Sequence, residues 1–233
     1  MKAVILVGGL GTRLRPLTIA VPKPLLAVGE KPMLQHIIEQ LRDAGCVEIV
    51  LATGYLGSLI EAFCGDGSRF GVQVSYVREE RPLGTAGPLS LVRDLVAPDE
   101  FFVLMNGDIV TRVNFTNLIA FAKTGDFDLT VGYVDYTYQS PYGVLTVEAD
   151  RIVGIEEKPR VEYRVSSGIY VVKGTAPPRV PDDTFFTIPD LIQTLHALGR
   201  PVGAYHIREF WLGVEDLDHI ETVTEFLRGD GRS

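Results

Sequence analysis

Three glycines and two arginines fall within "VGGLGTRLRPLT", Val7 to Thr18, directly after an apolar run. A dinucleotide-binding turn of the form G-x-G-x-x-G requires a third glycine, and Leu14 stands in that place. A P-loop requires Gly-Lys-Ser/Thr in fixed register, and no lysine follows in that register. What remains is a strand, then a glycine turn whose N–H groups are free to make an anion-binding concavity, then Arg13 and Arg15. The Arg13 guanidinium could grip phosphate oxygens with two parallel hydrogen bonds. The alternative is a tight turn flanked by solvated arginines.

Four further stretches bear on the choice. In "VPKPLLAV", Lys23 sits between Pro22 and Pro24, on backbone stiffened from both sides, which favours a positioned phosphate contact over a loose surface charge. "MNGD" closes an apolar run with Asp108. Ligands of open α/β sheets gather at the carboxyl ends of strands, and a carboxylate there can hold Mg²⁺, which takes one or two protein carboxylates together with phosphate oxygens. A turn or helix cap is the plainer role for Asp108. "EERPLGTAGPL" carries a second glycine turn, Gly84 to Gly87, and "IEEKP" places Glu157 and Lys158 at a strand end. Each has an ordinary structural explanation taken singly. Together they supply the cations, backbone donors and carboxylate of a phosphoryl- or nucleotidyl-transfer site. Histidine or cysteine metal clusters and a G-x-S-x-G nucleophile are absent from the sequence.

The elements that must position these residues are read from periodicity. Val4–Val7 is a short apolar run closed by glycines, the pattern of a buried strand. Leu34, Ile37, Ile38 and Leu41 follow helical spacing, with Pro32 at the start and Gly45 past the end. "VEIVLAT", "VQVSYV" and "FFVLMNGD" read as strands, while "LGSLIEAFC" and "AGPLSLVRDLV" read as helices. Such alternation predicts a mostly parallel sheet covered on both faces. Beyond about Phe127, "DLTVGYVD", "YGVLTVE", "RIVGIEE" and "YRVSSGIYVV" are successive strands, expected as an antiparallel addition. Helical pattern returns in "IPDLIQTLHALG" and "VEDLDHIETVTEFL". The 233 residues show no linker or repeat, so a single domain over 1–233 is expected.

Composition narrows the partners. A net charge of −8 argues against a nucleic-acid surface. No apolar run is long enough to span a bilayer, and "MKAVILV" lacks the length and cleavage site of a signal peptide. Cys46 and Cys64 have neither metal-ligand spacing nor a disulfide framework, so a cytoplasmic protein is expected.

In order along the chain, "GGLGTRLRPLT…PKPL", "PLGTAGPL", "NGD", "YGV" and "EEKP" resemble the sugar-1-phosphate nucleotidyltransferases, also called nucleoside-diphosphate-sugar pyrophosphorylases. The likeness runs from Met1 to about Phe226. It implies a Rossmann-like three-layer α/β domain with a mostly parallel mixed sheet and an antiparallel sugar-binding addition. The implied reaction is attack of a sugar 1-phosphate oxygen on the α-phosphate of a nucleoside triphosphate, with Mg²⁺ as cofactor and pyrophosphate as leaving group.

By position, the resemblance makes Leu6, Gly8, Gly9, Gly11, Thr12, Arg13, Gly84 and Thr85 nucleotide contacts. Arg13, Lys23, Asp108 and Lys158 become the catalytic set, with Asp108 the Mg²⁺ ligand. Gly143, Glu157, Lys158 and Ser167 would face the sugar phosphate. "PLGTAGPL" is most similar to guanylyltransferases acting on mannose- or heptose-type sugar phosphates, so GTP is favoured, and Glu79 or Glu80 would read guanine N1 and N2. The C-terminal helix is a candidate for packing or dimer contacts, which leaves a homo-oligomer open.

One stretch departs from the pattern. In "EFWLGVEDLDH" the resemblance calls for Trp-x-Asp-x-Gly, with its Asp a second Mg²⁺ ligand, but Gly213 takes the place of Asp and Glu215 that of Gly. Three readings stand: Glu215 or Asp216 supplies the carboxylate, Asp108 suffices with added waters, or the protein binds nucleotide sugars without making them.

Overall fold

The computed structural model describes residues 1–230. In chain order it contains β1 (Lys2–Leu6), β2 (Ala27–Val28), β3 (Lys31–Pro32), α1 (Met33–Asp43), β4 (Glu48–Thr53), α2 (Gly57–Cys64), β5 (Gln73–Arg78) and α3 (Leu89–Val92). These are followed by β6 (Phe101–Asn106), β7 (Ile109–Thr111), α4 (Phe115–Thr124), β8 (Leu129–Gln139), β9 (Gly143–Glu148), β10 (Arg151–Glu157) and β11 (Arg160–Lys173). The chain ends with α5 (Ile188–Ala197), β12 (Val202–His206), β13 (Trp211–Gly213) and α6 (Leu217–Asp230).

Among the described residues, seven strands form the main sheet in the order β12-β8-β11-β6-β1-β4-β5. β11 runs antiparallel to both neighbours, β6 and β8, and the remaining neighbouring pairs are parallel. Period-2 alternation on β1 shows why helices cover both faces: Ala3 and Ile5 pack with α1, α2 and α4, while Val4 packs with α3 and α5. The four residues at helical spacing in α1 are all buried, and Pro32 precedes its first turn. In α5, Thr187 and Asp190 form a reciprocal capping box. A smaller apolar cluster, including Val28, Met33, Val110, Val214 and Val223, seats α6 over β2 and the β7–β13 pair.

Two elements differ from the sequence expectation. The helical stretch after Gly84 is only one α turn, Leu89–Val92, continued by a 3₁₀ turn at Arg93–Leu95. The strands after Phe127 do not all form a separate antiparallel unit. The inner halves of β8 and β11 belong to the main sheet, where Val171 and Val172 are fully buried. Their outer halves leave the body as a two-stranded ribbon, and β9 and β10 form a second ribbon at its end.

Candidate active site

The glycine loop leaves the carboxyl end of β1, and Asp108 follows the carboxyl end of neighbouring β6, so the central strands deliver both to one edge. Gly107 makes this approach close: its N–H donates to the Leu6 carbonyl at 2.9 Å, and a β-carbon there would lie 2.6 Å from Val7 Cγ1. Gly11 adopts φ +59, the left-handed region, and introduces a 3₁₀ turn over Thr12–Leu14. Its carbonyl accepts the Thr18 hydroxyl at 2.7 Å, and a side chain at Gly11 would collide with Thr18 and Lys23. Among the described residues, the N–H groups of Gly9, Leu10 and Gly11 have no hydrogen-bond partner. Those donors are available to an anion, as the loop's composition predicts.

The resulting cleft has a volume of about 320 Å³. It brings together Leu6, Gly8, Gly9, Gly11, Lys23, Glu79, Gly84, Thr85 and Asp108, nine of the residues expected from sequence. Lys23 begins a 3₁₀ turn ahead of buried Pro24, and its ammonium pairs with the Asp108 carboxylate across the cleft. The Asp108 carbonyl accepts the Val214 N–H at 2.9 Å, which ties this loop to β13. Beside the cleft is a second hollow lined by Gly11, Thr12, Arg13, Leu14, Lys23 and Glu215. There Arg13 pairs with Glu215, both largely exposed.

At the other end, Glu79 is half-buried against the glycine loop, close enough that a β-carbon at Gly8 would meet its Oε1 at 2.7 Å. Burial pushes its carboxyl pKa up, opposed by the Leu83 N–H that donates to Oε2 at 3.0 Å. Thr85 lines the cleft and also has a structural task, its hydroxyl accepting the Ile188 N–H at 2.9 Å at the start of α5. Glu80 does not line this cleft; it borders a neighbouring hollow with Tyr55 and Arg78.

The residues expected to meet the sugar lie elsewhere. Gly143, Glu157 and Lys158 are exposed on the ribbons beyond the main sheet, and none lines the cleft. Ser167 is buried: its hydroxyl donates to the Gly132 carbonyl at 2.8 Å. The Ser167 carbonyl accepts the Trp211 indole N–H at 2.8 Å. The hydroxyl is thus engaged with backbone.

Val7, Pro24, Pro82, Asn106, Gly107 and Phe185 complete the cleft and lie outside the set expected from sequence. Asn106 was within reach, since "NGD" carries it beside Asp108. Phe185 was not, because it arrives from the loop before α5, where the Phe186 carbonyl accepts the N–H groups of Ala86 and Gly87.

A mostly parallel α/β sheet thus gathers an open glycine loop, a lysine–aspartate pair and free backbone donors at one strand edge, an arrangement chemically suited to an anion. Residues 2–225 match the nucleotidyl transferase family, and the chain belongs to it. It is 42% identical over 188 residues to the probable mannose-1-phosphate guanylyltransferase 1 of Oryza sativa subsp. japonica, covering 77% of this chain and 52% of that protein. To the mannose-1-phosphate guanyltransferase of Schizosaccharomyces pombe it is 42% identical over 189 residues, with the same coverage of each. The chain therefore spans about half the length of these relatives.

The fold is shared with a putative glucose-1-phosphate thymidylyltransferase from Bacillus anthracis, solved in complex with a sucrose. That similarity has TM-score 0.77 and 24% identity over 98% of this chain and 95% of that one. HddC from Yersinia pseudotuberculosis complexed with GMP-PN gives TM-score 0.75 and 24% identity over 97% and 99% of the two chains.

Proposed function

We propose that this chain transfers a guanylyl group from GTP to a hexose 1-phosphate of the mannose type. The observation that carries the reading is the convergence of unpartnered loop N–H groups, Lys23, Asp108 and Glu79 on one cleft. The kinship to mannose-1-phosphate guanylyltransferases supports the choice of substrates. In the proposed reaction a sugar phosphate oxygen bonds to the GTP α-phosphorus as the α–β bridging bond breaks, and pyrophosphate leaves. The loop N–H groups and Arg13 bind the β- and γ-phosphates, Arg13 exchanging Glu215 for them. Lys23 stabilises charge on the phosphorus oxygens in the transition state, where preorganised cations act most strongly. Glu79 accepts hydrogen bonds from guanine N1 and N2, which uracil and thymine cannot match.

Asp108 fits a Mg²⁺ ligand, since its carboxylate oxygen faces the cleft beside the phosphate loop. Among the described residues no group of three or more His, Cys, Asp or Glu could hold a metal, so substrate oxygens and water would have to complete the coordination. Bound there, Mg²⁺ would screen the triphosphate and stabilise the departing pyrophosphate. Lys158, Glu157 and Gly143 are proposed to recognise the sugar phosphate from the ribbon.

Pyrophosphate release by the purified protein with Mg²⁺, across four nucleoside triphosphates and several sugar 1-phosphates, tests the reading. Turnover highest with GTP and mannose 1-phosphate is expected; a clear preference for UTP would overturn the role of Glu79. Gly213 favours a second reading, a non-catalytic nucleotide-sugar binding subunit. A β-carbon at Gly213 would meet only the Trp211 ring, at 3.8 Å, so Gly213→Asp is accommodated without strain. In an active enzyme this substitution changes turnover that is already present. Activity that appears only in Gly213→Asp would establish the second reading.

A further inference from the structure

Two phenylalanines stand side by side before α5 and have opposite fates. Phe186 packs against the core beneath α3 and α5, whereas Phe185 lines the cleft and is 65% exposed. Single exposed apolar side chains are ordinary on protein surfaces. What sets Phe185 apart is how firmly the chain on either side of it is held.

On one side, the Phe186 N–H donates to the Leu83 carbonyl at 2.8 Å, and the Phe186 carbonyl accepts the N–H groups of Ala86 and Gly87, each at 2.9 Å. Gly84 permits this approach, because a β-carbon there would lie 2.6 Å from the Phe186 carbonyl oxygen. On the other side, Asp183 pairs with Arg81 at 2.8 Å and Asp182 pairs with Arg93. The segment that carries Phe185 is thus stapled to the second glycine turn from both directions. Leu83 also ties it to the base-reading carboxylate: its N–H donates to Glu79 Oε2 at 3.0 Å while its carbonyl holds Phe186. Two hydrogen bonds through one residue therefore link the placement of Phe185 to that of Glu79.

We infer that Phe185 is the stacking platform for the purine ring of the nucleotide. The inference rests on the proposed function, in which Glu79 reads guanine N1 and N2. A carboxylate that reads the edge of a ring discriminates only if the ring is held by its face. Among the described residues Phe185 is the one aromatic side chain lining the cleft. Stacking strengthens with the area of the base, so Phe185 favours purines over pyrimidines. Glu79 then separates guanine from adenine, whose N1 accepts rather than donates and which has no amino group at C2. Base selection is thereby divided between a face contact and an edge contact brought in by distant segments of the chain.

Isothermal titration of the full chain with non-hydrolysable GTP and UTP analogues, in the presence of Mg²⁺, tests the assignment. Phe185→Ala should weaken binding of the GTP analogue about tenfold and of the UTP analogue about threefold or less. Its Tm should be unchanged because the ring is exposed. Phe185→Tyr should keep the wild-type affinity for both. Phe185→Trp adds an indole to a chain whose single tryptophan is Trp211, and the GTP analogue should quench its emission beyond the wild-type response. A wild type that binds the GTP analogue and a Phe185→Ala chain that binds it equally well would overturn the platform and leave the proposed function standing. Equal losses for both analogues would tie Phe185 to the shape of the cleft rather than to the base, and overturn it too. A wild type that binds neither analogue would overturn the proposed function and this inference with it.

Discussion

The cleft and the ribbons make opposite use of their residues. In the cleft, close contacts set much of the lining: Gly107 against Val7, Gly11 against Thr18 and Lys23, and Glu79 against Gly8. Lys23 keeps only 15% of its side-chain surface exposed. On the ribbons, Glu157 and Lys158 stand on backbone that packs against neither core face. A site whose groups are held by packing meets its ligand without reorganising, whereas groups on an unsupported ribbon gain their geometry only when something else fixes it. Under the proposed function, the nucleotide falls to the preformed half and the sugar phosphate to the adaptable half.

Two lysine substitutions test that division. Lys23→Gln removes the cation proposed to act on the reacting phosphates, and kcat should fall by about 10²–10³-fold with little change in GTP affinity. Lys158→Ala should raise KM for the sugar phosphate by about tenfold, the scale of one hydrogen bond to a charged group, and leave GTP binding unchanged. Isothermal titration with a non-hydrolysable GTP analogue, alongside steady-state kinetics, separates the two effects. If Lys158→Ala weakens nucleotide binding instead, the halves are not separate.

Glu79 sharpens the comparison on the cleft side through pH. Burial raises its pKa, so the native chain keeps this proton at pH values where the unfolded chain has lost it. Its contribution to stability is therefore full below the ordinary carboxylate range and declines as pH rises through the raised value. Guanine recognition has the opposite sign, because only the carboxylate can accept from both N1 and N2. The KM for GTP should rise on acidification through the same window. Glu79→Gln should flatten that dependence and reduce the preference for GTP over UTP by about tenfold to a hundredfold. A pH profile unchanged in Glu79→Gln would remove Glu79 from base recognition.

The same contrast explains which parts of the molecule were legible in the sequence. The first glycine loop, "NGD" and the apolar strand runs are local patterns, and a parallel sheet then has little freedom about which edge its strand ends share. For that reason nine of the expected residues line one cleft. Phe185 reaches it only through the contact of Phe186 with Ala86 and Gly87, a closure across about a hundred residues with no local signal. On the ribbon side, four strands were readable from alternation. That β8 and β11 each divide between the main sheet and an exposed ribbon was not, since the division falls at a register shift between Ser166 and Tyr170 that depends on which strands pair rather than on local pattern. Lys158 adds a local surprise, a non-glycine residue at φ +48 where the chain turns from β10 into β11.

Ser167 lies where β11 passes from core to ribbon, and it yields the smallest effect. Its place in the sequence associates it with the sugar, while the structure buries the hydroxyl between the Gly132 carbonyl, 2.8 Å away, and the Ile169 N–H, 3.3 Å away. A hydroxyl committed to backbone stabilises the bend rather than the substrate. Ser167→Ala should lower unfolding free energy by about 1 kcal/mol, the usual net worth of a hydrogen bond. The KM for sugar phosphate should stay within about twofold, because far less than the roughly 1.4 kcal/mol of a tenfold change is at stake. Chemical denaturation and steady-state kinetics on the same preparation read both quantities. A large rise in KM without loss of stability would return Ser167 to the substrate and show that the bend opens when the sugar phosphate binds.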